Sequence, residues 1–383
     1  MATHFAALLA LLVLGLASLP GCGESGDELA GRLVFIARRA GGYDIRLGTA
    51  SGRQIELTRH LPSDSFPVWA PDGSRIAFYA DRKFNIQDRD DNLDIFVMAP
   101  TGGEMTRLTD DPAHDAFPHW SRDGSRIAFY SERDGDGDVF VMNADGSDIR
   151  QVTNAPSVDI PFGWSPDGQR IGFISGRDRN LEIYTVAGNG DDVQRITRNR
   201  ALDVSAAWSP DGTRIAFESD RDGNREVYVT NADGSHQVNL TVRHLRDGSP
   251  AWSPDGAMLA FVSERDANAE IYVIDVTYSL LTRVTNSSRD DATPAWSPDN
   301  TRLAFVSNRD FRPEIYISNW DGSGLRKITS DAAVEAAPVW SPAGTSIAFE
   351  SSRDGRRDIF LVNADGRGFT RLTNDEAPTA ARR

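Results

Sequence analysis

The most regular chemistry-bearing feature of the sequence is a carboxylate five residues before each of seven tryptophans. If the repeated units form a closed ring, equivalent positions should place these carboxylates around one mouth of the channel that the ring encloses. Channel walls of one charge sign focus the electrostatic potential, which would attract a cation or a basic peptide. Repetition favours a structural interpretation, in which each carboxylate accepts backbone N–H bonds where the chain enters a strand. The candidates for this acidic channel mouth are Asp64, Asp115, Asp159, Asp203, Asp247, Asp291 and Glu335.

Two irregular segments carry an oxygen ligand at every second residue. This spacing suits Ca²⁺, which takes about six to eight oxygens from a curled loop. Neither segment has the distal bidentate Glu of an EF-hand, so solvated acidic hairpins are the favoured interpretation. Ca²⁺ is the one cofactor that the sequence indicates. The candidate ligands are Asp88, Asp90, Asn92 and Asp94 in the first segment and Asp134, Asp136 and Asp138 in the second.

Recognisable catalytic motifs are absent from the sequence. It contains neither G-x-S-x-G nor H-E-x-x-H, and its six His residues lack metal-ligand spacing. His119, beside Trp120 on a predicted inner strand, is the sole candidate for acid–base chemistry, although a lone His there more often lines a channel. Trp320 replaces the Ala of a repeated turn, and we expect it either to lie exposed and bind a sugar or partner, or to pack on an adjacent loop. The sequence thus predicts no catalytic residue.

These residues sit on a repeated unit of about 44 residues. The tryptophans are followed by variants of S-P-D-G, which is typical of a type I turn. Alternating runs such as Arg214-Ile215-Ala216-Phe217 predict strands, four per unit, and four antiparallel strands in this period are typical of a β-propeller blade. The repeated tryptophans are Trp69, Trp120, Trp164, Trp208, Trp252, Trp296 and Trp340.

The number of blades follows from counting the strand types. The I-A-F run occurs eight times and the Trp strand seven times, so the first unit, residues 33–58, lacks its innermost strand. Residues 376–380 resemble Ala336–Trp340 without the Trp and can supply it. We therefore expect one all-β domain over residues 33–380, an eight-bladed propeller closed by pairing of N- and C-terminal strands, with seven blades as the alternative.

Repeated Arg-Asp dipeptides follow the second strand of the units. Each precedes an acidic residue at the start of the next strand, so we expect the Arg to pair with that carboxylate or with a neighbouring blade and to hold the turn. The dipeptides begin at Arg133, Arg177, Arg221, Arg265, Arg309 and Arg353.

The units x-P-x-W-S-P-D-G-x-x-I-A-F and S-x-R-D-G-x-x-[ED]-I-Y, which span residues 33–373, resemble the propeller repeats of the TolB family. The resemblance implies a propeller but fixes no chemistry, because related repeats occur in periplasmic interaction proteins, in polysaccharide lyases and in prolyl oligopeptidases. A non-enzymatic protein–protein interaction scaffold is the favoured function. The alternative is a carbohydrate-binding or polysaccharide-lyase-like propeller that acts at the channel mouth around His119.

Charge and the N-terminus predict where the protein works. A net charge of -15 disfavours nucleic acid and anionic lipid surfaces, so membrane contact should be covalent. The apolar residues 5–19 and Leu19-Pro20-Gly21-Cys22 resemble a bacterial lipoprotein signal, which implies a signal peptide over residues 1–21, lipid on Cys22 and a linker over residues 22–32. We expect a monomer that is anchored in the bacterial cell envelope, either in the periplasm or at the cell surface. The anchoring membrane should be the outer membrane if one is present, and the partner should be another envelope protein.

Overall fold

A computed structural model describes the chain in twelve stretches. They are residues 33–39, 42–48, 54–56, 64–72, 74–81, 92–98, 105–242, 245–266, 268–330, 334–341, 344–351 and 358–371. Within them the regular elements are strands, and no helix is long and apolar enough to cross a membrane. The predicted signal peptide, Cys22 and the linker lie outside the described residues.

The strands form eight antiparallel sheets, each built from strands that are consecutive in the chain. The first sheet has three described strands and the other seven have four, so the all-β propeller predicted from the sequence is confirmed. Sheets one to three contain β1 (Leu33–Arg39), β2 (Gly42–Gly48) and β3 (Gln54–Glu56); β4 (Asp64–Trp69), β5 (Ile76–Asp81), β6 (Leu93–Met98) and β7 (Met105–Arg107); and β8 (Asp115–Trp120), β9 (Arg126–Ser131), β10 (Asp138–Asn143) and β11 (Arg150–Gln151).

The remaining sheets repeat the four-strand order. Sheets four and five contain β12 (Asp159–Trp164), β13 (Arg170–Ser175), β14 (Glu182–Ala187) and β15 (Gln194–Arg195); and β16 (Asp203–Trp208), β17 (Arg214–Ser219), β18 (Glu226–Asn231) and β19 (Val238–Asn239). Sheets six to eight contain β20 (Asp247–Trp252), β21 (Met258–Ser263), β22 (Glu270–Asp275) and β23 (Leu281–Arg283); β24 (Asp291–Trp296), β25 (Arg302–Ser307), β26 (Glu314–Asn319) and β27 (Arg326–Lys327); and β28 (Glu335–Trp340), β29 (Ser346–Ser351), β30 (Asp358–Asn363) and β31 (Thr370–Arg371).

The core lies between neighbouring sheets. In sheet five, Phe217 and Tyr228 are directly opposite on β17 and β18, and their rings stack with centroids 5.6 Å apart. Alternation of side chains sends the neighbours of these residues to the other face, where Ala216 and Val229 pack against Phe261 of sheet six. Each sheet is therefore buried on two sides, which explains why its strands are almost continuously apolar.

The first strand of each four-stranded sheet is the inner strand, because these strands contact one another from sheet to sheet. Strand β1 also contacts β30, which places the first sheet beside the eighth. Residues 376–380, the segment expected to complete the first sheet, lie outside the described residues. The eight-bladed ring and its closure by both termini therefore stay predictions.

A β-bulge interrupts most inner strands at their third residue. Phe117, Ser205, Ser249 and Thr293 adopt φ of 53°, 53°, 55° and 51°, in the left-handed region that non-glycine residues rarely occupy. Each lies where the pairing with the second strand shifts register. In sheet four the bulge falls between Pro161 and Gly163 instead, which changes the backbone that the next sheet meets.

The repeated tryptophans fasten each inner strand to the preceding one. Trp252 Nε1 donates to the carbonyl of Ala207 at 3.2 Å, and the guanidinium of Arg214 lies 5.1 Å above its ring. Trp208 Nε1 is buried without an acceptor, and the residue 45 positions before it, the offset that Trp252 uses, is Gly163 at the displaced bulge of sheet four. The equivalent bonds run from Trp120 to Val68, Trp164 to His119, Trp296 to Ala251 and Trp340 to Ala295.

This difference predicts unequal costs for the same substitution. Trp252→Phe removes a hydrogen bond and weakens a cation–π contact, whereas Trp208→Phe has neither to lose, so Trp252→Phe should lower the free energy of unfolding by about 1 kcal/mol more. Urea denaturation of both variants checks this. Equal losses would show that the indole N–H bonds add nothing to ring packing.

Candidate functional site

The predicted acidic ring is present as a set of equivalent positions, but it is not open to solvent. Each acid is the first residue of its inner strand, where Asp115, Asp159, Asp203, Asp247 and Asp291 have no exposed surface and Glu335 is 1% exposed. Carboxylates without exposed surface cannot line an open mouth, so the expected electrostatic funnel is corrected for these residues to a buried structural set. Asp64 begins β4, and its side chain lies outside the described residues.

Arginines of the repeated dipeptides neutralise these acids. Arg265 pairs with Asp247 at 3.0 Å and lies 4.5 Å from the ring centroid of Tyr272, so that the ion pair is capped by the aromatic pair of its own sheet. The structural role predicted for the dipeptides is confirmed, but the partner is the acid that begins the same sheet, 18 residues earlier. The equivalent pairs are Arg133–Asp115, Arg177–Asp159, Arg221–Asp203 and Arg309–Asp291.

A second buried acid lies at the start of the third strand in sheets two to seven. Glu270 accepts a hydrogen bond from Thr285 Oγ1, which in turn accepts the N–H of Ile271 at 2.8 Å. Sequence reasoning missed this set, although the Thr of every L-T run and the acid of every I-Y strand were its signals. Its members are Asp94, Asp138, Glu182, Glu226, Glu270 and Glu314, all at most 3% exposed.

The two sets of acids influence one another across sheet boundaries. Burial raises the pKa of Asp291 to about 6; Glu270 adds to the rise, while Ser307 and Arg309 oppose it. Burial likewise raises the pKa of Asp138 to about 6, with Asp159 adding to the rise. Folding thus places like charges close together where water cannot screen them.

The proposed calcium ligands separate into different roles. Asp138 and Asp94 belong to the buried set above, so their assignment to metal loops is corrected, and Asn92 donates to the carbonyls of Asp111 and Ala113. Asp134 and Asp136 lie on the turn before β10. No group of three or more His, Cys, Asp or Glu able to hold a metal occurs in the described part of the chain, and Asp88 and Asp90 lie outside it.

The remaining candidates occupy separate places. His119 is half-buried on β8, and burial lowers its pKa to about 4, so its ring is neutral at pH 7. His114 Nδ1 accepts the N–H of Leu93 in a different loop. Trp320 is half-buried and, like Met258, packs against the core between sheets six and seven. The exposed placement is therefore corrected, and the contact is with the core rather than with an adjacent loop.

The connections beside the buried acids are held in place by asparagines. Antiparallel strands in chain order bring the connection between second and third strands, and the connection to the next sheet, to the edge where inner strands begin. Asn224 Nδ2 donates to the carbonyl of Leu245, and Asn268 Nδ2 to that of Arg289, each at 2.8 Å. We call this edge the loop face; in sheets four to seven its described residues are 176–181, 196–202, 220–225, 240–242, 245–246, 264–266, 268–269, 284–290, 308–313, 328–330 and 334.

The raised pKa of Asp291 predicts a gain in stability on mild acidification. Its folded-state value of about 6 lies above the unfolded value of 3.8, so the charged form destabilises the fold at neutral pH. This penalty decreases as the pH falls through 6 and is gone only below the unfolded value. Moving from about pH 7 to about pH 5.5 should lower the penalty from this group by up to about 1 kcal/mol.

Comparison with Asp291→Asn isolates this contribution. The variant should show a smaller increase in the urea midpoint between the two pH values, whereas Asp310→Asn should retain the full increase because Lys327 lowers the pKa of Asp310. The same increase in wild type and Asp291→Asn would contradict the assignment.

Comparisons with known proteins agree with the fold. The family described as the TolB beta propeller domain matches residues 151–247 and 243–381, and the Tricorn protease N-terminal beta propeller domain matches residues 90–182. The uncharacterized peptidase YuxL of Bacillus subtilis (strain 168) is 34% identical over 79 residues, which are 21% of this chain and only 11% of that relative.

Solved structures share the architecture at low sequence identity. Dipeptidyl peptidase 4 of Porphyromonas gingivalis is 13% identical with a TM-score of 0.66, over 92% of this chain and 60% of that chain. Oligogalacturonate lyase of Vibrio parahaemolyticus is 14% identical with a TM-score of 0.60, over 88% of this chain and 98% of that chain. These likenesses concern the fold alone. The TolB beta propeller domain matches more than half of the residues of this chain, so the chain belongs to that family.

Proposed function

We propose that this chain is a lipid-anchored binding protein of the bacterial cell envelope, which acts as a protein–protein interaction scaffold. The observation that carries the proposal is the construction of the loop face. Its backbone is held by buried Arg–Asp pairs and asparagine bonds, while Leu202, Leu245 and Phe311 project from it with 39%, 46% and 78% exposure.

A fixed surface of this kind suits binding. A partner that docks on ordered loops loses less conformational entropy than one that must first order them. Exposed apolar side chains in a polar surrounding are the composition expected for an interaction site. The repeated acids and arginines are occupied with one another, so the variable side chains of the loop face are the groups left to recognise a partner.

Anchoring follows from the segment that ends at Cys22. Its resemblance to a lipoprotein signal and the membership in the TolB family both support an envelope location, on the outer membrane where one exists. A chain of net charge -15 gains nothing from anionic lipid headgroups, so acyl chains on Cys22 would supply the attachment. The propeller would then act as a tethered monomer.

The anchor is tested by Cys22→Ser in a bacterial host with two membranes. Wild type should sediment with membranes and incorporate an alkyne-labelled fatty acid, and Cys22→Ser should do neither, because the thiol is the site of acylation. Ser25→Ala serves as the matched control and should behave as wild type. Membrane association of Cys22→Ser equal to that of wild type would refute lipid anchoring.

The scaffold role is tested with photo-crosslinking residues placed at Leu245 on the loop face and at Ser323 on the opposite edge. Both are exposed. A discrete adduct with an envelope protein should form in living cells from position 245 and not from 323. Equal adducts from both positions, or none from 245, would contradict the proposal.

A further inference from the structure

The turn between the third and fourth strands of sheet six differs from its counterparts. Sheets three, five, seven and eight carry an exposed Asp followed by a left-handed Gly in this turn, which are Asp233 and Gly234 in sheet five. The equivalent residues of sheet six are Thr277 and Tyr278. Residues 277–281 are all exposed and none of them is charged. In a chain with 25% charged residues, one turn therefore has a different surface chemistry.

Three large apolar side chains project from this turn. Tyr278, Leu280 and Leu281 are 74%, 67% and 42% exposed, and nowhere else in the described part of the chain do three exposed large apolar side chains occur within four residues. Val238 and Leu325, at or just before the start of the fourth strands of the two adjoining sheets, are 49% and 46% exposed. We call these five residues the apolar rim.

Hydrogen bonds hold the turn of sheet six in one conformation. The Asp275 N–H donates to the carbonyl of Leu280 at 3.0 Å, and the N–H of Ser279, whose φ is 54°, donates to the carbonyl of Asp275 at 2.9 Å. The Asp275 carboxylate accepts the N–H groups of Thr277 and Tyr278, each at 2.8 Å. The acid that begins the turn is thus engaged with its backbone. An ordered turn loses little conformational entropy when its side chains are buried by a partner.

The first strand begins at the same edge of the propeller as the apolar rim. Strands β1 and β2 contact β4 as β5 and β6 contact β8, so β1 occupies the place of a second strand. Second strands begin at the edge opposite the loop face, and the turns before the fourth strands lie there too. We call this edge the turn edge. Leu33, the first residue of β1, therefore lies on the turn edge, as the apolar rim does.

The proposed anchor would bring the turn edge to the membrane. Residues 23–32 separate Cys22 from β1, and ten residues reach at most about 35 Å. This reach is smaller than the width of the predicted domain over residues 33–380, since a domain of that size has a radius of gyration of about 20 Å. Acyl chains on Cys22 would therefore bring the turn edge to the bilayer before the loop face.

We propose that the apolar rim inserts into the interface of the lipid bilayer that holds Cys22 and orients the propeller with its loop face away from the membrane. The inference rests on the proposed lipid anchor and adds the orientation of the anchored protein. Leucine side chains favour the acyl boundary, and a tyrosine ring favours the level of the headgroups. Because the anchor keeps the rim at a high effective concentration near lipid, an insertion too weak to hold the unanchored chain is sufficient.

Charge selects the kind of lipid. Other turns of the turn edge expose the carboxylates of Asp145, Asp233, Asp321 and Asp365, and the chain has a net charge of -15. Anionic headgroups would repel these turns, so a zwitterionic lipid surface is the expected one. In sheet six the carboxylate is replaced by Thr277, so this turn approaches the headgroups without that repulsion.

Fluorescence quenching in reconstituted vesicles tests the insertion. The acylated protein, purified from a host that lipidates it, carries a thiol-reactive NBD label introduced through Thr277→Cys, or through Ser323→Cys in the equivalent turn of sheet seven. The vesicles are phosphatidylcholine with spin-labelled acyl chains. The label at position 277 should be quenched severalfold more strongly than the label at 323, because a rim buried about 5–10 Å into the headgroup boundary brings it against the acyl chains. Equal quenching at both positions would overturn the insertion.

Matched double variants separate the rim from the rest of the apolar surface. Tyr278→Ser with Leu280→Ser should abolish the quenching at position 277, since it removes the two most exposed apolar side chains of the turn. Leu202→Ser with Val242→Ser removes exposed apolar side chains from the loop face and should leave the quenching unchanged. Equal loss in both pairs would attribute the signal to apolar surface in general and overturn the assignment to the rim.

Thiol labelling of the wild type distinguishes failure of the anchor from failure of the insertion. Cys22 is the only cysteine, so the acylated wild type should take up no label. Uptake would show an unmodified thiol and overturn the anchor together with the inference. An acylated protein whose label at position 277 stays unquenched overturns the inference alone. A discrete protein adduct in living cells from a photo-crosslinking residue at Tyr278 would replace lipid by a protein partner and overturn the inference as well.

Discussion

A carboxylate buried at the start of each inner strand is the constraint on which this propeller depends. An uncompensated charge without exposed surface costs about 3–5 kcal/mol, so an arginine must reach it from the turn after the second strand. That demand fixes the turn geometry and draws the guanidinium over the aromatic pair of the sheet. The turn and the aromatic core of each sheet are thus joined at one buried charge.

This arrangement divides the side chains into those used in every sheet and those used in one. The Arg–Asp pairs, the tryptophan bonds and the buried threonines recur and hold the sheets together. Sheet four departs from the pattern: its displaced bulge leaves Trp208 without the carbonyl that the equivalent tryptophans use. A missing bond that the remaining contacts tolerate shows that the repeats are partly redundant, and redundancy permits the loops to vary.

The sequence predicted the repeat and the sheets because Trp and S-P-D-G impose turns at a fixed spacing. It also predicted that the acid before each Trp occupies an equivalent position, but not whether that position is exposed to solvent or buried. The difference depends on an arginine 18 residues later and on a bulge at the third strand residue, and neither is readable from local pattern alone. Asp94 and Asp138 were assigned to irregular loops for the same reason, although their 21-residue separation from Asp115 and Asp159 relates them to the repeat.

Charge is distributed according to that division. The repeated carboxylates sit in the interior with partners, whereas the loop face of sheets four to seven exposes charges of both signs side by side, such as Arg289 and Asp290. Exposed charges of this kind are screened by water and salt and contribute little to stability. The repeated interior pairs therefore hold the fold, and the loop-face charges are free to differ from sheet to sheet.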